Sequence, residues 1–250
     1  MIVEFLWAPL FAGFVVAVAA VGLSEYAAMA FPEDRPARGA VIGLGLLVSA
    51  SVLTGTLAWT GAAISTAVIG GLVFPLWRNQ DLTLALNRVG LLLVGVLYVG
   101  FFVPHMALLR EQPAGWRWVL FTVYTAMGSD SGAYFAGRAW GRRKLLPAVS
   151  PSKTVEGALG GLAGAVVIGL VCRLAFFHQL GAQETVGLAL AIAVLAELGD
   201  LCESAIKRAF GAKDSGWIIP GHGGILDRLD SLLFPFVFAY YYYAVTARGW

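Results

Sequence analysis

Long apolar segments alternate with short polar segments along the whole chain. A helix that crosses a bilayer needs about 20 mostly apolar residues, because each residue advances the helix by about 1.5 Å. About eight segments of the sequence meet or approach this length. We predict membrane spans at residues 7–31, 40–58, 61–77, 84–109, 116–137, 155–177, 186–207 and 229–246. The pattern therefore predicts an all-α, polytopic integral membrane protein.

Composition supports this prediction. Of the 250 residues, 59% are hydrophobic and only 13% are charged, whereas a soluble domain carries roughly twice that charged fraction. No loop between the predicted spans is long enough to form a soluble domain, so we expect one transmembrane domain over residues 1–250. The formal net charge of +2 is too small to suggest a nucleic-acid partner.

The basic residues indicate how the spans are oriented. Thirteen of the seventeen Lys and Arg residues fall on one side of the membrane, in or next to the loops after spans one, three, five and seven. Arg110, Arg117 and Arg248 fall on the opposite side. Because cytoplasmic loops carry an excess of Lys and Arg, we predict that both termini lie outside. The two long polar loops, after spans five and seven, then face the cytoplasm from the cell (inner) membrane.

Five acidic residues fall inside predicted spans, where a charge is costly unless it faces a protein interior or a watery cavity. They are Glu25, Asp130, Glu197, Asp200 and Glu203. Asp130 and Asp200 lie at similar depths, each about 10–12 Å from the cytoplasmic end of its helix. Asp227 and Asp230 enter the membrane from the same side. Carboxylates from three helices can therefore converge in one cavity.

Such a carboxylate cluster needs a compensating cation. Mg²⁺ suits it, because Mg²⁺ prefers one or two carboxylates together with phosphate oxygens and water. The alternative is that the carboxylates pair with nearby basic side chains, of which Lys207, Arg208 and Arg228 are candidates. The sequence leaves both interpretations open, and it leaves them open for Asp214 as well.

Two of the acidic residues also have a purely local interpretation. Glu203 can pair with Lys207 one turn later, and we expect this ion pair rather than a catalytic role. Glu25 is either a buried, hydrogen-bonded structural carboxyl or a functional one. The polar face of span seven is formed by Glu197, Asp200, Ser204 and Lys207.

The two long polar loops have the composition of phosphate-binding segments. The loop after span seven contains five glycines, several cations and His222, and the loop after span five contains Ser152, Lys153 and Thr154. Glycines let a backbone present N–H groups to a phosphate, and Lys and Arg supply the opposite charge. A basic membrane anchor is the alternative, but an anchor needs neither the glycines nor the histidine. We infer phosphoryl or nucleotidyl transfer to a lipid headgroup.

Three motifs contain most of these polar residues. The longest reads Ser204-x-x-Lys207-Arg208-x-x-x-x-Lys213-Asp214-x-x-x-x-x-Pro220-Gly221-His222-Gly223-Gly224-x-x-Asp227-Arg228-x-Asp230. The other two read Asp130-x-x-Ala133-Tyr134-x-x-Gly137-x-x-x-Gly141 and Ser150-Pro151-x-Lys153-Thr154-x-Glu156-Gly157. These three motifs closely resemble those of the phosphatidate cytidylyltransferases, also called CDP-diacylglycerol synthases. The resemblance covers the half of the chain from Asp130 onward, while the first half matches only as generic apolar spans.

The resemblance implies a Mg²⁺-dependent transferase of phospholipid biosynthesis that converts CTP and phosphatidate into CDP-diacylglycerol and diphosphate. It also implies a homodimer, and it leaves open whether K⁺ accompanies Mg²⁺. The site is expected mainly within residues 130–231. Asp200 and Asp227 would bind the metal, and with Lys207 and Arg228 they form the expected catalytic set.

The remaining candidate residues are expected to bind substrate. They are Asp130, Ser152, Lys153, Ser204, Arg208, Lys213, His222, Gly223 and Gly224. The cations among them, with Lys207 and Arg228, would hold the triphosphate or the lipid phosphate. His222 either donates to a phosphate oxygen or orders its own loop. Whether Asp130 touches the metal or only faces the substrate stays open.

Two other functions compete with this interpretation. A CDP-alcohol phosphotransferase would show D-G-x-x-A-R followed by G-x-x-x-D-x-x-x-D, which the sequence lacks, and a polyprenol kinase is a further lipid-headgroup enzyme. A cation- or proton-coupled transporter would also contain intramembrane carboxylates. Transporters often show paired internal repeats, however, and the two halves of this chain do not resemble each other.

The predicted orientation can be tested by cysteine labelling. A cysteine placed between residues 141 and 153 should resist a membrane-impermeant maleimide applied to intact cells, because this loop is predicted to be cytoplasmic. Ready labelling from outside would show that the predicted orientation is wrong and that this loop lies outside the cell.

Overall fold

The computed structural model describes residues 8–78, 82–216 and 223–246, which are mostly helical. The helices are α1 (Ala8–Ala30), α2 (Arg35–Leu53), α3 (Leu57–Val73), α4 (Leu82–Gly95), α5 (His105–Glu111), α6 (Gly115–Trp140), α7 (Val155–Ala175), α8 (Ala182–Ala209), α9 (Leu226–Leu229) and α10 (Leu233–Thr246). A 3₁₀ turn (Phe74–Arg78) follows α3, and a π-helical segment (Val96–Phe101) follows α4. Strands β1 (Lys144–Leu146) and β2 (Ser150–Thr154) pair as an antiparallel hairpin.

The protein is a multi-pass membrane protein. Six stretches of the described chain are helical, long and apolar enough to cross a bilayer, and they correspond to six of the eight predicted spans. The predicted spans at α6 and α10 are not among these six, and α10 has only 14 residues. The class of fold is therefore confirmed, whereas the count of eight spans stays a prediction.

The described residues form two compact units. The amino-terminal unit contains residues 8–78 and 82–108 together with 214–216 and 223–226. The carboxyl-terminal unit contains residues 109–213 and 227–246. The long glycine-rich loop is thus divided between them, and the prediction of a single domain stays a prediction.

In the amino-terminal unit, α2 begins five residues earlier than the apolar pattern predicts. Asp34 caps this helix, since its Oδ1 accepts a hydrogen bond from the amide of Ala37 at 3.1 Å. The other carboxylate oxygen of Asp34 lies 2.9 Å from the guanidinium of Arg88 on α4. A polar cap followed by a proline therefore starts the helix in what the apolar pattern treats as a loop.

The fourth predicted span is not a single regular α-helix. The π-helical segment interrupts it, and Pro104, which has no N–H to donate, precedes α5. At the interruption, the Ser49 hydroxyl of α2 donates a 2.7 Å hydrogen bond to the carbonyl of Gly100. A neighbouring helix thus supplies a donor to a carbonyl of the irregular segment, as an apolar environment requires.

In the carboxyl-terminal unit, α6 and α7 cross at very close range through glycines. A Cβ atom on Gly132 would overlap the carbonyl oxygen of Gly160, and it would lie 3.1 Å from the Cα atom of Gly164. Small residues let two membrane helices approach this closely, and van der Waals packing then stabilises the pair. This close contact brings the polar residues of α6 next to β2 and the start of α7.

The close contact between α6 and α7 predicts that one added methyl group at Gly132 lowers the stability of the protein. Gly132→Ala should lower stability by about 1–3 kcal/mol, because backbone atoms cannot move aside as a side chain can. A thermal melt in detergent should show a fall of several degrees. The matched control is Gly187→Ala on α8, where a Cβ meets nothing within 4 Å. That variant should melt no lower than the wild type, and equal melting of both variants would contradict the glycine contact.

Candidate functional site

A cavity of about 410 Å³ opens in the carboxyl-terminal unit, between α6, β2, the start of α7 and α8. Its lining includes four of the predicted site residues, Asp130, Ser152, Lys153 and Asp200. Residues from distant parts of the sequence therefore meet at one polar site within a largely apolar protein.

Lys153 is the central cation of this cavity. Its ammonium lies 2.8 Å from Asp200 Oδ2 and 2.9 Å from Glu197 Oε1. Burial alone would lower the pKa of Lys153, but the hydrogen bonds and negative charges of Asp200 and Glu197 outweigh it and raise the pKa above its usual value. Lys153 therefore stays charged at neutral pH and offsets the repulsion between two carboxylates one turn apart on α8.

A second lysine also joins two carboxylates in the same unit. The Lys207 ammonium lies 2.5 Å from Glu203 Oε2 and 2.5 Å from Asp227 Oδ1. The predicted ion pair between Glu203 and Lys207 is thus confirmed. Glu203 is only 2% exposed, so its charge depends on this lysine. The bond to Asp227 fixes the start of α9 against α8.

Hydroxyl groups connect these carboxylates to the rest of the unit. Ser204 Oγ donates to Asp200 Oδ1 at 3.3 Å. Ser231 Oγ donates to Asp130 Oδ2 at 3.2 Å and so joins the segment after α9 to α6. Carboxylates of two helices thus share the cavity, Asp130 on α6 with Glu197 and Asp200 on α8, whereas Asp227 and Asp230 are not among its lining residues. The convergence of carboxylates from three helices in one cavity stays a prediction.

The motif that runs from Ser150 to Gly157 forms strand β2 and the start of α7, and its polar residues hold these elements in place. Thr154 caps α7, since its hydroxyl oxygen accepts a 3.1 Å hydrogen bond from the amide of Gly157. The Glu156 carboxylate accepts hydrogen bonds from the amides of Arg142 and Arg143, at 3.0 and 3.1 Å. These bonds hold the basic loop and the hairpin together, and they present Lys153 to the cavity.

Other predicted residues are not among the described residues that line the cavity. Arg208, Lys213 and Arg228 are exposed cations of the carboxyl-terminal unit, and Arg208 donates to the carbonyl of Ala212 at 3.1 Å. Gly223 and Gly224 belong to the amino-terminal unit. His222 lies outside the described residues. The functional roles expected for all these residues stay predictions.

Several cavity residues were absent from the predicted set. Glu197 shares a face of α8 with Asp200, and that spacing already indicated its position. Tyr134 and Arg138 also line the cavity, and the Arg138 guanidinium donates to the Tyr134 hydroxyl at 3.0 Å. Both follow Asp130 by about one and two helical turns, so helical periodicity alone could have identified them.

The chemistry of these donors fits a magnesium ion that takes its other ligands from phosphate and water. The cavity lining contributes three carboxylates, Asp130, Glu197 and Asp200, against the two cations Lys153 and Arg138. A polyphosphate would add further negative charge, so its binding needs an extra cation. Among the described residues, no group of three or more His, Cys, Asp or Glu is arranged to hold a metal by itself. The fit therefore depends on ligands that the substrate supplies.

The sequence of the chain is similar to those of known proteins. The model of the family described as "Cytidylyltransferase family" matches residues 1–246. A phosphatidate cytidylyltransferase of Bacillus subtilis (strain 168) is 38% identical over 164 residues, which are 65% of this chain and 61% of the relative. The protein of the same name from Brucella suis is 42% identical over 155 residues, 62% of this chain and 57% of the relative.

A third relative with that name, from Staphylococcus saprophyticus, is 41% identical over 142 residues, which are 57% of this chain and 54% of the relative. The matched segments thus span less than two thirds of each relative's length.

The ion pairs of Lys207 lead to a stability prediction. Lys207→Met should destabilise the protein by about 3–5 kcal/mol, because it leaves the buried Glu203 carboxylate without its cation. The melting temperature in detergent should fall by about 10 °C. The double variant Lys207→Met with Glu203→Gln should recover part of that loss, since the uncompensated charge is removed. A double variant less stable than Lys207→Met would contradict this account.

Proposed function

The chain belongs to the cytidylyltransferase family, and from this premise we propose that it is a phosphatidate cytidylyltransferase. It transfers the cytidylyl group of CTP to the phosphate of phosphatidate and forms CDP-diacylglycerol and diphosphate. The curated relatives carry this name. The observation that carries the proposal is the polar cavity around Lys153 and Asp200, which is built from helices of a membrane protein.

The reaction needs alignment and charge neutralisation more than a strong base. A phosphate oxygen of phosphatidate forms a new bond to the α-phosphorus of CTP. The bond from that phosphorus to the oxygen bridging to the β-phosphate breaks, and diphosphate leaves with the electron pair. The attacking phosphate is already anionic near neutral pH, because its second pKa is about 6. The protein must therefore gather two polyanions and offset the charge that develops on diphosphate.

The cations of the carboxyl-terminal unit suit this task. Lys153, with Ser152 beside it, meets phosphate oxygens in the cavity. Arg208, Lys213 and Arg228 are exposed cations that draw the triphosphate or the lipid phosphate toward the protein. Lys207 holds Asp227 in place through its 2.5 Å ion pair.

A divalent cation completes the proposal. Asp200 and Asp227 would hold Mg²⁺, which when bound neutralises phosphate charge and stabilises the leaving group. The excess of carboxylates over cations in the cavity supports this need for a metal. An accompanying K⁺ and a homodimer, both expected from the resemblance, belong to the same proposal. So does the cytoplasmic orientation of the site, which the distribution of Lys and Arg supports.

The proposal predicts a specific assay result. Purified protein in mixed micelles should release diphosphate only when CTP, phosphatidate and Mg²⁺ are all present, and a chelator should stop the release. Asp227→Asn should lower kcat by at least about a hundredfold, because the metal loses a charged ligand while the hydrogen bond from Lys207 is kept.

The matched control is Glu111→Gln, the same loss of charge at an exposed position at the end of α5. This variant should turn over like the wild type. No diphosphate release from the wild type with any divalent metal would overturn the function. Near-normal activity of Asp227→Asn would remove that residue from the metal site.

A further inference from the structure

Glu25 is a buried carboxylate that the proposed reaction does not use. It lies on α1 in the amino-terminal unit, and only 6% of it is exposed. Among the described residues, no basic side chain forms an ion pair with it. A buried charge without an ion pair is costly unless several hydrogen bonds compensate it.

Three donors from distant parts of the chain supply that compensation. Glu25 Oε1 accepts from the amide of Ile225 at 2.9 Å. Glu25 Oε2 accepts from the amide of Leu226 at 3.0 Å and from the Ser215 hydroxyl at 3.2 Å. All four residues belong to the amino-terminal unit. One side chain of the first helix thus holds both described ends of the glycine-rich loop.

The loop backbone lies very close to this carboxylate at two glycines. A Cβ atom on Gly224 would lie 2.5 Å from Glu25 Oε2, and one on Gly216 would lie 2.7 Å from Glu25 Oε1. One turn earlier on α1, a Cβ on Gly22 would lie 3.0 Å from a methyl group of Leu226. These contacts explain two glycines of the loop without any phosphate, since the carboxylate itself requires the close approach.

Asp227 directly follows the anchored segment. Leu226, whose amide bonds to Glu25, is the first residue of α9, and Asp227 is the second. Consecutive Cα atoms are about 3.8 Å apart, so an amide fixed at Leu226 restricts where Asp227 can lie. The Asp227 carboxylate is then held by Lys207 at 2.5 Å.

We propose that Glu25 is a positioning residue, which fixes the backbone at Ile225 and Leu226 and thereby places Asp227 for the reaction. This inference rests on the proposed function. Displacement of a reacting or metal-binding group by about 1 Å can cost about a hundredfold in rate. In this account, a carboxylate far away in the sequence affects the reaction through the backbone that it holds, without touching a substrate.

The test uses Glu25→Gln in the full-length protein. The amide keeps the size of the side chain, but its NH₂ group must face either the Ile225 or the Leu226 N–H, so one donor is left without an acceptor. Hydrogen exchange of a peptide covering residues 223–229 should become faster, while peptides of α8 exchange as in the wild type. The kcat should fall by about a hundredfold with little change in the KM for CTP.

Glu33→Gln is the matched control, because it makes the same change at an exposed glutamate just after α1. It should change neither exchange nor turnover. If Glu25→Gln unfolds throughout, Ser215→Ala decides the question, since it removes only one of the three donors. That variant should speed exchange of residues 223–229 and lower kcat to a smaller extent.

The possible outcomes separate the two proposals. Unchanged exchange at residues 223–229 in Glu25→Gln, or faster exchange with wild-type kcat, would overturn the role of Glu25. If Glu25→Gln unfolds, unchanged exchange at residues 223–229 in Ser215→Ala, or faster exchange with wild-type kcat, would overturn it in the same way. Absence of turnover in the wild type itself would instead overturn the proposed function, and with it the role that depends on it.

Discussion

Two lysine ammonium groups, each shared by two carboxylates, hold the polar part of the carboxyl-terminal unit together. Lys153 bonds Glu197 and Asp200, and Lys207 bonds Glu203 and Asp227. In a mostly apolar protein, carboxylates this close would otherwise repel one another and take up protons. The ion pairs make it possible for α8 to carry three acidic residues within about two turns near its carboxyl end.

The glycine crossing of α6 and α7 places this charge network. It brings Asp130 on α6 into the same cavity as Lys153, which stands on the hairpin that leads into α7. Larger residues at the crossing would separate these helices. The glycines of this crossing and the charged residues beside it are therefore parts of one arrangement.

The sequence predicted the class of fold because apolar length is a local property. Six spans could be identified by length and composition alone. The hairpin between Lys144 and Thr154 could not, since its short strands pair with each other and show no long apolar pattern. The irregular segment Val96–Phe101 was missed for a related reason, because the hydrogen bond from Ser49 to Gly100 joins residues far apart in the sequence.

For the candidate site, too, contacts between residues close in the sequence could be predicted, whereas contacts between distant residues could not. The pair of Glu203 and Lys207 follows from helical spacing, and so does the shared face of Glu197 and Asp200. The bond of Lys153 to Asp200 joins residues of two separate elements, and no local pattern indicates it. For Glu25, the sequence shows a carboxylate in an apolar span but not the backbone amides that surround it.

Under the proposed function, the lysines also explain how a site rich in carboxylates would accept a polyanion. An ammonium group has three N–H donors, and in the described part of the chain Lys153 has two carboxylate partners. One donor can therefore meet a phosphate oxygen while the other two still hold Glu197 and Asp200. A cation fixed in this way loses little conformational freedom when the substrate binds. The ion pairs that stabilise the fold would thus also prepare the cavity for the phosphate groups that the proposed function requires.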